Sequence, residues 1–217
     1  MDLRQSLHHG KQLYQGYEFM KAVFAGLDNV CLSGGADGAD VQWGMCAGLF
    51  GHNVIHWSFA GHKSQAPETE VVRLSYDQIA EAAPAVKRAA KALSKHPPRS
   101  PFPRNLIHRN WYQIAWTERV YAVATLKDNL VQGGTGWAVQ MYLDRAMDEP
   151  DFKPEAYTYC QDADEWFQMV DGYWTIIESP PVPHGIWTGI GSRDLTKPGK
   201  EAIRKLLSYV KPESTNP

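Results

Sequence analysis

Three glycine-rich turns constrain this chain more than any other feature. Each follows a short apolar run and leads into helical spacing: Ser33–Asp40 (SGGADGAD), Gln132–Gly136 (QGGTG) and Thr188–Asp194 (TGIGSRD). A strand that passes through glycine directly into a helix leaves backbone N–H groups free at the positive end of the helix dipole, where anions bind. Glycine there permits positive φ and close approach of another group to the backbone. One such turn is also an ordinary strand-to-helix connection with a capping Asp. Three in 217 residues point to a parallel α/β sheet, whose ligands bind beyond the carboxyl ends of the strands.

The remaining periodicity supports that class. Leu13, Tyr17, Met20 and Phe24 share one stripe of a helix over 11–26. Strands are expected at Asn29–Ser33, Val54–Trp57, Arg119–Thr125, Ala156–Cys160, Tyr173–Ile177 and Ile186–Ile190. Helices are expected over 39–50, 76–95 with a break at Pro84, 106–116, 137–147 and 198–210, with a short one over 164–169. Gly51 suits the position just past a helix C-terminus. His96–Arg104 (HPPRSPFPR) is expected to be neither helix nor sheet interior, because proline lacks an N–H and fixes φ. The stretch after Trp57 reads as a polar loop, and KPESTNP at the end as a frayed tail. The expected fold is one Rossmann-like α/β domain over 1–217, a mostly parallel sheet with helices on both faces.

Composition narrows the function classes. A net charge of -2 gives no bulk attraction to nucleic acid or membrane. No apolar run approaches the ~18 residues that span a bilayer, and the opening MDLRQSLHHGKQLYQGYEF has no apolar secretion segment. Cys31, Cys46 and Cys160 are far apart and odd in number, which fits reduced thiols and a cytoplasmic location. A domain of this length buries roughly 70% of its unfolded surface and needs no metal staple. His52, His56 and His62 lack a zinc spacing, so structural or surface roles are expected. There is no Walker A lysine, and neither the first nor the third turn completes G-x-G-x-x-G. An NAD dehydrogenase, a P-loop NTPase and a resident cofactor are therefore not expected. Ser33 also lacks the G-x-S-x-G surroundings of a nucleophile elbow. Lys87, Arg88, Lys91, Lys95, Arg99 and Arg104 read as a solvated helix face, with nucleic-acid contact the lesser alternative.

Candidate ligand contacts come from the turns. Ser33, Gly34, Gly35, Ala36 and Gly38 would present backbone and hydroxyl, while Asp37 or Asp40 would cap the helix or take a ribose hydroxyl. Thr135 adds a hydroxyl to the amides of Gly133, Gly134 and Gly136. Gly189 and Gly191 lead to Ser192 and Arg193, a hydroxyl and a guanidinium suited to phosphate or carboxylate. Trp57, in HWS, either stacks on a base or is a core tryptophan.

SGGADGAD, HPP, HRN (His108–Asn110) and GGTG, in that order, resemble the SLOG superfamily, named for the SMF/DprA and LOG proteins. The likeness is greatest to the YspA-like members of phage and bacterial genomes. It runs from Asn29 to Asp144, with a family-like core extending to about residue 160. The resemblance implies a Rossmann-like fold that binds nucleotides or senses nucleotide-derived signals such as ADP-ribose-type messengers. For phage-borne members it implies sequestration of an immune signal. Under it Arg109 would contact phosphate, or pair with Asp40, and Asn110 would fix the ligand or a glycine turn. In relatives a GSR turn follows the first strand and precedes SGGA, whereas here it lies near the other end. A circular permutation is therefore expected, with 186–210 standing as the family's first strand and helix, or completing a neighbour's sheet. The LOG enzymes release a base from a nucleoside monophosphate and carry PGGxGTxxE. Aligned on Gly134-Thr135, the position of that catalytic glutamate is Ala138, and Gln140 cannot act as a carboxylate base. Binding without cleavage is the expectation. The alternatives are a phosphoribohydrolase using Glu68, Glu118 or Asp144, and a DprA-like DNA-binding accessory. SLOG relatives often pair, so a homo-oligomer is expected, with the Trp111/Trp116 helix as an apolar face.

Overall fold

The computed structural model describes residue 24 and residues 26–208. The helix expected over 11–26, Phe24 apart, and the tail lie outside the described residues. In chain order the strands are β1 (Asn29–Ser33), β2 (Asn53–Phe59), β3 (Val71–Leu74), β4 (Arg119–Ala124), β5 (Leu126–Lys127) and β6 (Leu130–Val131). They continue with β7 (Glu155–Cys160), β8 (Glu165–Val170), β9 (Tyr173–Ile177) and β10 (Gly185–Gly191). The helices are α1 (Ala39–Leu49), α2 (Tyr76–Glu81), α3 (Ala83–Ala92), α4 (Pro101–Ile114), α5 (Gly133–Leu143) and α6 (Lys197–Ser208).

One eight-stranded sheet has the order β3-β2-β1-β10-β4-β7-β8-β9. Its strands from β3 to β7 are parallel, and β8 and β9 add an antiparallel edge. The last strand of the chain therefore lies at the centre, with Ile186 opposite Val30 on β1 and Trp187 opposite Arg119 on β4. Both faces are covered, so the central strands are buried along their length, as parallel strands must be. On one face Val30, Leu32, Val120 and Ala122 pack under α2, α3, α4 and α5. On the other, Cys31, Tyr121 and Trp187 meet α1 and α6. Trp43 crosses β10 there, 5.7 Å from Trp187 and 6.2 Å from Tyr121, with its Nε1–H donating to the Ile190 carbonyl at 3.1 Å. A Cβ at residue 189 would overlap the Trp43 ring, which explains Gly189.

Several local expectations need correction. The segment 164–169 is the strand β8 rather than a helix. Its residues Glu165–Gln168 pair antiparallel with β7, Tyr159 opposite Trp166, and Asp164 and Asp171 at φ 58 and 50 turn the two hairpins. The polar stretch after β2 contains the short edge strand β3. Helix α4 starts at Pro101, inside the segment expected to be non-helical. Pro101 and Pro103 occupy its first turn, where the missing N–H would have no intrahelical acceptor. The break expected at Pro84 is present: this residue lies in the first turn of α3, which is separated from α2 at Ala82. Trp111 is buried in the core and Trp116 is half-buried against Trp57 and Tyr112, so this helix does not offer the free apolar face expected for self-association. Among the described residues no helix is long and apolar enough to cross a membrane.

Candidate functional site at the carboxyl end of the sheet

Adjacent parallel strands β1, β10 and β4 bring the three turns to the same end of the sheet. From β1 the chain passes through α1 to β2 on one side, and from β4 through α5 to β7 on the other. The connections diverge around β10, the switch point at which open α/β sheets bind ligands.

The first and third turns are locked together. The Ser33 hydroxyl donates to the Gly189 carbonyl at 2.6 Å and lies 3.0 Å from that of Asp40. The Ala39 N–H donates to the Ser192 carbonyl at 3.0 Å, and the Gly191 N–H to Asp40 Oδ1 at 3.2 Å. One orphan donor of the α1 N-terminus is thereby satisfied by protein. Gly38 has φ 93, and a Cβ there would overlap the Ser192 and Arg193 carbonyls. Gly38→Ala is accordingly expected to cost about 2 kcal/mol in a chemical denaturation curve, from the left-handed backbone and the collision together.

Arg109 is the brace between these turns and α4. Its Nη1 lies 3.3 Å from Asp40 Oδ2 and donates to Gln113 Oε1 at 2.7 Å, with both charged groups buried. Burial pushes the Asp40 carboxyl above its ordinary range, an effect that Arg109 and the Gly191 N–H oppose. Burial also pulls the guanidinium down against the pull of Asp40. Gly34 is explained here, since its Cβ would overlap Arg109 and Asp40. The expectation that Arg109 meets phosphate is thus corrected to its alternative, the ion pair. Asp40, with both oxygens engaged, is not free for a ribose hydroxyl either. Asp37 is exposed, with Oδ1 accepting from the Gly38 N–H at 2.9 Å.

The second turn differs. Gly133 (φ 68) and Gly134 are exposed, and a Cβ at either would meet nothing within 4 Å. Among the described residues, the N–H groups of Gly133, Gly134 and Thr135 have no acceptor, and no side chain caps α5. Asn110 Nδ2 donates to the Gly134 carbonyl at 3.2 Å, so it fixes the turn. Thr135 is buried, and Gly136 is required because a Cβ would overlap the Val131 carbonyl. Nearby, the Ser192 N–H donates to the Val123 carbonyl at 2.8 Å, on the strand that leads towards α5. Arg193 is exposed and has no carboxylate partner among the described residues.

The loop after β2 adds two residues that no sequence signal marked, Ser64 and Gln65. The Gln65 N–H and the Ser64 hydroxyl both bond the Gly35 carbonyl, at 2.8 and 3.2 Å. His62 stacks on Phe59 and lies 2.9 Å from the Ser58 hydroxyl. Burial, with Arg109 and Arg193 behind it, pushes its pKa down to about 4. His52 Nδ1 accepts from Trp187 Nε1–H at 3.1 Å. Trp57 is a core residue, 5% exposed between Tyr112 and Trp116, which corrects its reading as a base-stacking ring. The alternative carboxylates are displaced from the turns as well. Glu118 precedes β4 and Asp144 follows the C-terminus of α5, so both lie at the amino end of the sheet, roughly 20 Å of strand away. Glu68 is exposed and paired with Arg73. No protein-family model, no curated protein and no solved structure matches the chain.

Proposed function

We propose that this chain binds a phosphate-bearing, nucleotide-derived small molecule at the carboxyl end of its sheet and does not cleave it. The observation that carries the reading is the open first turn of α5, where three N–H groups without acceptors meet free space at Gly133–Gly134. The unpaired guanidinium of Arg193, on the turn that follows the neighbouring strand, supplies the charge. The absence of glutamate at Ala138 and the distance of Glu118 and Asp144 favour binding over a phosphoribohydrolase. An SLOG-type domain in permuted order is the family reading that fits. The central place of β10, paired within its own chain, supports it, since an outer-edge strand would have told against it. The ligand class this favours is an ADP-ribose or cyclic ADP-ribose type of signal, held by sequestration.

The test incubates the protein with a panel of nucleotides, NAD, ADP-ribose and cyclic ADP-ribose isomers, then weighs bound and free fractions by mass spectrometry. An intact ligand is expected in the bound fraction. Arg193→Ala and Gly134→Val should each weaken it about tenfold or more, about 1.4 kcal/mol, without lowering the melting temperature, because both positions face open space. Free base in the mixture would overturn the non-catalytic reading, and no retained ligand across the panel would overturn binding.

A further inference from the structure

Most of the described arginines are neutralised: Arg73, Arg88, Arg109, Arg119, Arg145 and Arg204 each lie against a carboxylate. Arg99, Arg104 and Arg193 do not. Arg193 belongs to the turns, and Arg104 marks a second place. Helix α3 ends at Ala92, and Ser94, at φ 52, turns the chain so that the Lys95 N–H bonds back to the Ala90 carbonyl at 2.9 Å. Between α3, this returning segment and α4 lies a groove of about 660 Å³. Ala83, Val86, Ala90 and Pro97 give it an apolar floor, and Lys87, Lys91, Lys95 and Arg104 surround that floor. None of the four cations has a carboxylate partner among the described residues, and no carboxylate lines the groove. Lys87 and Lys91 stand one helical turn apart, so their charges act along one wall. In a chain of net charge -2 this concentration of unopposed cations is local rather than a property of the whole surface.

We propose that the groove docks a short acidic segment of a partner protein, an amphipathic stretch whose apolar side chains rest on the floor while Asp or Glu meet the lysines and Arg104. Charge complementarity selects an anionic occupant. The apolar floor selects one with apolar anchors, the helix-in-groove mode of peptide recognition. A single-stranded nucleic acid would gain most from stacking on large aromatic rings, and among the described residues no Phe, Tyr or Trp lines the groove, whose aromatic rings are those of His96 and His108. The groove is separate from the glycine turns, whose residues are not among its lining, so it does not depend on the nucleotide reading.

The test uses the full chain and a fluorescent 14-residue peptide with leucine and glutamate at helical spacing, read by anisotropy. Two probes of similar charge accompany it, an all-glutamate peptide and an oligothymidine. Saturable binding of the Leu/Glu peptide is expected, at least tenfold tighter than either comparator and weakened by salt. Lys87→Glu with Lys91→Glu should reduce it at least tenfold, Lys87→Gln with Lys91→Gln less, and Arg193→Ala not at all. Lys87 and Lys91 are exposed, so circular dichroism and melting temperature should be unchanged in these variants. Equal binding of the all-glutamate peptide, preference for oligothymidine, or no saturable binding of the Leu/Glu peptide would each overturn the proposal.

Discussion

Arg109→Met is expected to lower the unfolding free energy by about 3–5 kcal/mol, the usual result of removing one partner from a buried ion pair. In a chain of this length that appears as a fall of roughly 6–20 °C in melting temperature. Among the described residues the guanidinium is the only cation paired with Asp40, which is 7% exposed beneath the first and third turns. Without it the carboxyl keeps only backbone partners, the Gly191 N–H and the Ala36 backbone, and burial, which already raises its pKa, favours the neutral acid further. A carboxyl with a folded pKa above its unfolded value stabilises the protein most at low pH and loses that contribution as pH rises through the folded pKa. The deficit of Arg109→Met relative to the parent chain should therefore narrow as the solution is acidified. Adding Asp40→Asn removes the stranded charge, so the double variant should recover part of the loss at pH 7, a non-additivity read from a double-mutant cycle. A single-variant cost under about 1 kcal/mol, accompanied by loss of ligand affinity, would return Arg109 to the role of a ligand group.

That brace shows where reading the sequence stops. The turns themselves were legible, because an apolar run, glycines and a helical stripe are local features, and a parallel sheet gathers them at one end. Which glycines face a ligand was not. Gly34, Gly38, Gly189 and Gly191 all serve contacts with residues remote in sequence: Arg109, the Ser192–Arg193 backbone, Trp43 and Val123. Only the register of the sheet brings those partners together, and of the glycines in the three turns only Gly133 and Gly134 are left open. The same limit explains Trp57, whose neighbours Tyr112 and Trp116 come from the far side of the α4 connection. It explains β8 too, where six residues are too few for periodicity to decide and pairing with β7 decides instead. The prolines of α4 failed as markers for a different reason. Proline breaks a helix interior but is at home in a first turn, and sequence alone did not say which of the two positions Pro101 would take.

Acidification should expose a second consequence of the buried first turn, through His56. This residue is 1% exposed on β2, both ring nitrogens lack hydrogen-bond partners among the described residues, and a Cβ at Gly44 would overlap its ring. Burial and the Arg109 charge push its pKa from 6.5 down to about 4. Glu70 Oε2 lies 3.7 Å from Nε2, but burial raises that carboxyl and the imidazole is neutral near pH 7, so the contact is not an ion pair there. The sign follows from the depressed value: folding stabilised by neutral His56 is fully present above the unfolded pKa near 6.5. It is lost as pH falls towards about 4, where the unfolded chain takes the proton and the folded chain resists it. The loss from this group is about 3 kcal/mol. His62, more exposed, shifts the same way and adds a smaller, solvent-screened share. Urea unfolding at pH 7.5, 6.0 and 4.5 should show the decline, and His56→Leu, which removes no hydrogen bond, should flatten it by up to about 1.4 kcal/mol per pH unit. In the Arg109→Met background the charge that helps hold His56 neutral is gone, so its share of the decline should shrink as well. Identical pH slopes for the parent and His56→Leu would mean that His56 titrates near its ordinary value, and would remove the first turn from any account of acid lability.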